Sequence, residues 1–225
     1  MAIAFDSKTE SPKSNMDAGS PASFSHTTAG SDRGLLVYYY YGITSGTHIV
    51  SATYNSVSMT LVSNTVDNSR GQAVFKLTNP ASGSNTVAIT YSGGTGVSDR
   101  YAVAVSYTGV DQTDFIEANA TGTVGGGTAI SISTTSLTDN ALIVGSGSSR
   151  NNRTWTPDSP ATAVWSQDNG TIGVQNFGAS RTTTTAGSYA VEWTASGTDN
   201  GATAIVALKP APAAATNTSD FFQMF

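Results

Sequence analysis

The sequence predicts an all-β protein, an antiparallel two-sheet β-sandwich of jelly-roll type, and three observations predict it. Apolar residues recur with period two along most of the chain. No stretch of a dozen residues carries an apolar stripe at helical spacing. Turn signals such as Ser92-Gly93-Gly94, Asp139-Asn140, Asp168-Asn169-Gly170 and Asp199-Asn200-Gly201 recur at intervals of about ten residues, which gives roughly a dozen strands. Parallel βαβ units would need helices between those strands.

The chain opens Met1-Ala2-Ile3-Ala4-Phe5-Asp6 and turns polar at once, without the basic and apolar regions of a signal peptide. No window reaches the ~18 continuous apolar residues of a spanning helix, so no membrane partner is expected. Leu35-Leu36-Val37-Tyr38-Tyr39-Tyr40-Tyr41 is apolar on both faces, as is Ala141-Leu142-Ile143-Val144. Both read as central strands with a second layer or a subunit over them. Val87, Ile89 and Tyr91 alternate with Thr86, Ala88 and Thr90, and Ile130 and Ile132 with Ser131 and Ser133, the pattern of half-buried antiparallel strands. In Asp99–Tyr107 the odd positions carry Tyr101, Val103, Val105 and Tyr107 and the even ones Ala102, Ala104 and Ser106, so one face is bulky and the other small. The Gly-rich Thr121–Gly127 either divides two small domains or crosses between the sheets of one. Apolar strands continue unchanged on both sides and no internal repeat is convincing, so a single domain over 1–209 is expected. Residues 210–219, beginning Pro210-Ala211-Pro212, form a semi-rigid spacer. Residues 220–225 follow, with Phe221, Phe222, Met224 and Phe225 as an apolar anchor for a neighbouring chain; a last strand folding back on its own domain is the alternative.

Composition narrows the chemistry. The 225 residues include no cysteine, which excludes thiolate zinc sites, iron–sulfur clusters and a cysteine nucleophile. A net charge of -5 with ten scattered Lys and Arg makes nucleic acid a poor partner. The polar residues are dominated by 30 serines and 33 threonines, so the surface is built from hydroxyls rather than charges.

Candidate catalytic groups are sparse. His26 and His48 stand in no HxxxH or HExxH arrangement. No Gly-x-Ser-x-Gly elbow exposes a serine nucleophile. Of the glutamates Glu10, Glu117 and Glu192, the last lies on the strand face opposite Tyr189, Val191 and Trp193 and reads as solvated. Asp111-Gln112-Thr113-Asp114 and Asp67-Asn68 read as turns whose side chains cap their own backbone, and calcium is the one cofactor their oxygens could hold. The small basic cluster of Arg150, Arg153 and the distant Arg181, with Asn151, Asn152 and Trp155, is the expected contact surface. Core packing is the competing reading for Trp155, Trp165 and Trp193.

A further set of segments, taken together, carries a family likeness: Phe24-Ser25-His26-Thr27, Gly34 to Tyr41, Ala52 to Val62, Leu77 to Val87, Ala104 to Thr113 and Ala204 to Pro210. Their order resembles an anonymous β-sandwich domain of tailed-phage virion proteins and bacterial extracellular proteins. The resemblance implies a structural and attachment module without catalytic residues. Its extracellular members follow a signal peptide or are fused to other modules, so the virion is the expected location, after synthesis in the host cytoplasm. The expected protein is a non-enzymatic capsid-decoration or tail subunit, a homo-oligomer with a trimer favoured, contacting other virion subunits and host-surface glycans. The alternative is a secreted or cell-surface carbohydrate-binding or adhesion module.

Overall fold

Alternation becomes strand throughout. The computed structural model describes residues 2–12, 16, 19–67, 69–151, 153–168 and 175–213, and the elements that build its sheets are seventeen β-strands. The first half contains β1 (Ala4–Glu10), β2 (Ala22–Thr28), β3 (Gly34–Gly42), β4 (Ile49–Tyr54), β5 (Val57–Ser58), β6 (Thr60–Asp67), β7 (Arg70–Thr78), β8 (Gly83–Ser92) and β9 (Ser98–Thr108). The second contains β10 (Ile116–Thr123), β11 (Ala129–Ser136), β12 (Leu142–Ser149), β13 (Trp155–Pro157), β14 (Thr162–Asp168), β15 (Gln175–Thr182), β16 (Gly187–Ala195) and β17 (Gly201–Leu208). In place of two sheets and about a dozen strands, the described residues form seventeen strands in four antiparallel sheets, ordered β1-β9-β3-β7-β6, β2-β8-β4-β5, β10-β17-β12-β15-β14 and β11-β16-β13.

Three apolar layers join the four sheets. Period-two alternation sends Leu35, Val37, Tyr39 and Tyr41 of β3 and Ala102 and Ala104 of β9 toward Phe24, Val87 and Ile89 of the first outer sheet. The intervening Leu36, Tyr38, Tyr40, Tyr101, Val103, Val105 and Tyr107 enter a middle layer with Leu142, Val144, Trp165, Ala204, Val206 and Leu208. On the far side of the second inner sheet, Ile143, Phe177, Ile205 and Ala207 pack against Ile130, Ile132, Val191 and Trp193 of the second outer sheet. The inner strands β3, β12 and β17 are therefore buried at every position. The outer strands β2 and β11 are buried at every second one. The layer expected over the central strands is supplied by the chain itself.

The two halves have one topology. Replacing β1, β9, β3, β7, β6 by β10, β17, β12, β15, β14 converts one inner sheet into the other, and β2, β8, β4 become β11, β16, β13. The irregularities coincide as well. The register of β1 on β9 shifts between Phe5 and Ser7, and that of β10 on β17 between Ile116 and Ala118. The register of β6 on β7 shifts between Leu61 and Ser63, and that of β14 on β15 between Ala163 and Trp165. Both halves offer the same face of the inner sheet to the middle layer, where Val62 and Val164 at the two shifts both pack.

Residues 109–115 join the halves, and Thr121–Gly127 carries the chain from the inner sheet to the outer sheet of the second half. Asp111 fixes the junction. Its Oδ1 accepts the Thr113 and Asp114 N–H groups at 2.8 and 3.1 Å, and its Oδ2 pairs with Lys209 Nζ at 3.0 Å.

Candidate interaction surfaces

The groups most able to do chemistry are consumed inside the body. His26, on the inward face of β2, lies 2.9 Å from Thr9 Oγ1 through Nδ1 and 3.2 Å from Ser106 Oγ through Nε2. Ser106 Oγ donates to Asp6 Oδ2 at 2.7 Å. A carboxylate only accepts, so the serine proton points to Asp6, Nε2–H donates to the serine, and Nδ1 accepts from Thr9. Burial pushes the His26 pKa down to about 4, against the Asp6 carboxylate, which raises it. Serine, histidine and aspartate thus meet, but not as a nucleophilic triad. Here the serine bridges the other two, its proton is directed away from the imidazole, and it is wholly buried.

His48 is equally engaged. Nδ1–H donates to the Gly93 carbonyl at 3.2 Å, so Nε2 accepts from Tyr39 Oη at 3.2 Å. The ring sits 4.5 Å from Tyr41 and 5.7 Å from Tyr91, and burial lowers its pKa. Tyr41 Oη donates to Asn64 Oδ1 at 2.6 Å, and burial pushes the phenol up to about 12 despite that bond. This cluster ties the β3–β4 loop to the β8–β9 loop, which also share the bonds Thr44 N–H to Thr95 O and Thr95 N–H to Ser45 O.

The basic loop is held from beneath by Asp199, which is 1% exposed. Its carboxylate accepts the N–H groups of Arg150, Asn151 and Asn200 at 3.1, 3.1 and 2.8 Å and the Asn151 side-chain amide at 3.0 Å. Arg150 is exposed above it and Arg153 is half-buried against Gly197. Trp155 does not join them. It is 3% exposed and stacks on Phe177 at 5.0 Å with an interplanar angle of 21°. The reason is register: Trp155 pairs with Ala195 on the inward face of β16, so its side chain follows that face into the core. The expected contact surface therefore keeps Arg150, Asn151 and Arg153, while Asn152 lies outside the described residues. Arg181 lies apart, over the Tyr189 ring at 5.1 Å.

The carboxylates of the Asp111–Asp114 turn are spent internally too. Desolvation would raise the Asp111 carboxyl, but Lys209 and the Thr113 and Asp114 N–H groups hold it below its usual range. Asp114 is held down in the same manner by Lys76 at 2.6 Å and by the Ile116 N–H. Glu192 is exposed, on the face opposite the core. Among the described residues no group of three His, Asp or Glu side chains could hold a metal ion.

What the body offers to a partner is its outside. The outer face of β2 and β8 exposes Ser23, Ser25, Thr27, Ser84, Thr86 and Thr90, and that of β11 and β16 exposes Ser131, Ser133, Thr135, Ser188 and Thr194. A groove of about 450 Å³ is lined by Thr9, Glu10, Ser23, Ser25 and Thr86 beside Phe24. Another of about 640 Å³, between Ala2, Thr138–Asn140 and Lys209–Ala213, lies where the described chain ends. The anchor residues Phe221, Phe222, Met224 and Phe225 lie outside the described residues. Comparison with protein-family models, with curated proteins and with solved structures found no match.

Sequence reasoning missed one surface feature. On the edge strand β6, Leu61 and Val66 are 46% and 48% exposed. The signal was an uncharged, β-prone octet ahead of Asp67. Reading it as an edge required knowing which strands pair.

Proposed function

We propose that this protein is a non-enzymatic structural subunit of a phage virion, decorating the capsid or forming part of the tail, and made in the host cytoplasm. Each half reads as a jelly roll: strands β1-β9-β3-β7 facing β2-β8-β4-β5 have the alternation of two interlocked Greek keys, and β10-β17-β12-β15 facing β11-β16-β13 repeat it without a counterpart of β5. The observation that carries the reading is the pair of opposite outer faces paved with serine and threonine. Such faces make many weak, uncharged hydrogen bonds, which suits contact with a repeating lattice. A rigid body with both histidines and the carboxylates of Asp6, Asp111 and Asp199 engaged internally is a spacer or a clamp, and the subunit joins to neighbours through faces, edges and the segment 220–225. Fractionating a particle preparation on a density gradient tests this. The chain should co-sediment with intact particles at fixed stoichiometry; recovery solely in the soluble fraction would end the virion reading.

The second reading is an adhesion module that binds glycans. The groove at Glu10 favours it, since hydroxyls and a carboxylate are groups that recognise a sugar. Glycan-array binding that is lost in Glu10→Gln would support it.

A further inference from the structure

The four sheets leave eight edges, and most carry the devices that keep strands from pairing with other molecules. β5 and β13 have two and three residues. β1 carries Asp6, Lys8 and Glu10, and β10 carries Glu117. β2 and β11 are uncharged but turn their apolar side chains inward. β6 differs from all of these: it is eight residues long, its one charge is the terminal Asp67, and it exposes two large apolar side chains, Leu61 and Val66. The second half supplies an internal control. By pairing register Leu61 corresponds to Ala163 and Val66 to Asp168, so the same edge in β14 carries a small residue and an acid where β6 carries Leu and Val.

We infer that β6 is a strand-pairing edge for a second copy of this chain, joining two inner sheets across a two-fold axis. Leu61 and Val66 both lie on the sheet face that carries Phe75 and Gly71, because the register shift between Leu61 and Ser63 brings them into phase. With Val62 turned out of the ladder, they also stand two ladder positions on either side of Asn64, the midpoint of the strand. Antiparallel self-pairing about that midpoint sets Leu61 of each copy across from Val66 of the other, while the free backbone groups of the edge pair. An isologous edge of this kind closes on a pair. It takes the place of the expected trimer, whose basis, a subunit over the central strands, is met by the chain's own layers. The inference rests on the assembly reading and names its first contact.

The test uses the full chain. Sedimentation equilibrium from 1 to 100 µM should give a dimer that reverts to monomer in Val66→Lys and Leu61→Lys, with melting temperatures near that of the parent. Ala163→Lys on β14 should leave the dimer intact. Because the chain has no cysteine, Leu61→Cys/Val66→Cys should form intermolecular disulfides under mild oxidation. A parent that is monomeric at 100 µM, or a dimer or trimer unmoved by both lysines, overturns the inference. Particle association measured on the same variants separates the two claims: loss of the dimer with retained co-sedimentation sinks the edge contact alone.

Discussion

Asp6 and Glu117 perform the same task at the same place in the two halves. Each sits at the register shift of the first strand, and each reaches the turn that follows the second strand. Asp6 Oδ2 accepts the Ala29 N–H at 2.9 Å, and Glu117 Oε1 accepts the Leu137 N–H at 3.0 Å. The shift turns one residue out of the ladder and aims its carboxylate at the otherwise unpaired turn. Each carboxylate also accepts a hydroxyl, but the costs differ because the one Asp6 holds, Ser106, is wholly buried, whereas the one Glu117 holds, Thr138 at 2.8 Å, is partly exposed. Asp6→Ala should therefore destabilise by about 2 kcal/mol and Glu117→Ala by about 1 kcal/mol. Urea denaturation monitored by tryptophan fluorescence checks the order.

The depressed pKa of His26 makes stability depend on pH. Between pH 6.5 and about 4 the unfolded chain takes up a proton that the folded chain refuses. The stability is complete above 6.5 and falls as the pH drops toward 4, by on the order of 2 kcal/mol. His48, lowered in the same direction, adds to the slope. Melting temperatures should fall over this window, and His26→Gln should flatten the fall even if it lowers the plateau.

Gly178 lies against the face of Trp165, so close that a Cβ there would overlap the ring. Trp165 in turn packs on Tyr38 at 4.8 Å in the middle layer. Gly178→Ala should cost about 2–3 kcal/mol through forced repacking. The equivalent change at Gly187, where the nearest atoms leave ordinary contact distance, should cost less than about 1 kcal/mol. Thermal unfolding of the two variants measures the contrast.

Trp155→Ala should lower stability by about 3–5 kcal/mol, because it empties a stacked core position. Loss of glycan binding in that variant would report unfolding. Arg150→Ala, on an exposed side chain, should leave the melting temperature within about 2 °C and is the proper probe of the loop.

Much of the fold was legible along single strands. Alternation at Val87–Tyr91 and Ile130–Ile132 marked outer strands, and unbroken apolar runs at Leu35–Tyr41 and Ala141–Val144 marked inner ones. The bulky and small faces of Asp99–Tyr107 became the middle and first apolar layers. The repeat was not legible, because the faces that meet have become complementary instead of alike. Tyr38 and Tyr40 of the first half correspond in register to Ser146 and Ser148 of the second, and large residues on one sheet fill the space left by small ones on the other. The site was less legible still. Trp155 looked like part of a polar loop until the register of β13 placed it, and Asp6, His26 and Ser106 are 100 residues apart at the extreme and meet only through β1-β9 and β2-β8 pairing.

Amide hydrogen exchange on the full chain tests the four-layer arrangement most directly. The account predicts that β3, β12 and β17 exchange slowest, at the rate of global unfolding, because both faces of each are covered from within. Exchange in β3 or β12 as fast as in the outer strands β2 and β11 would show an inner face open to water and would contradict it.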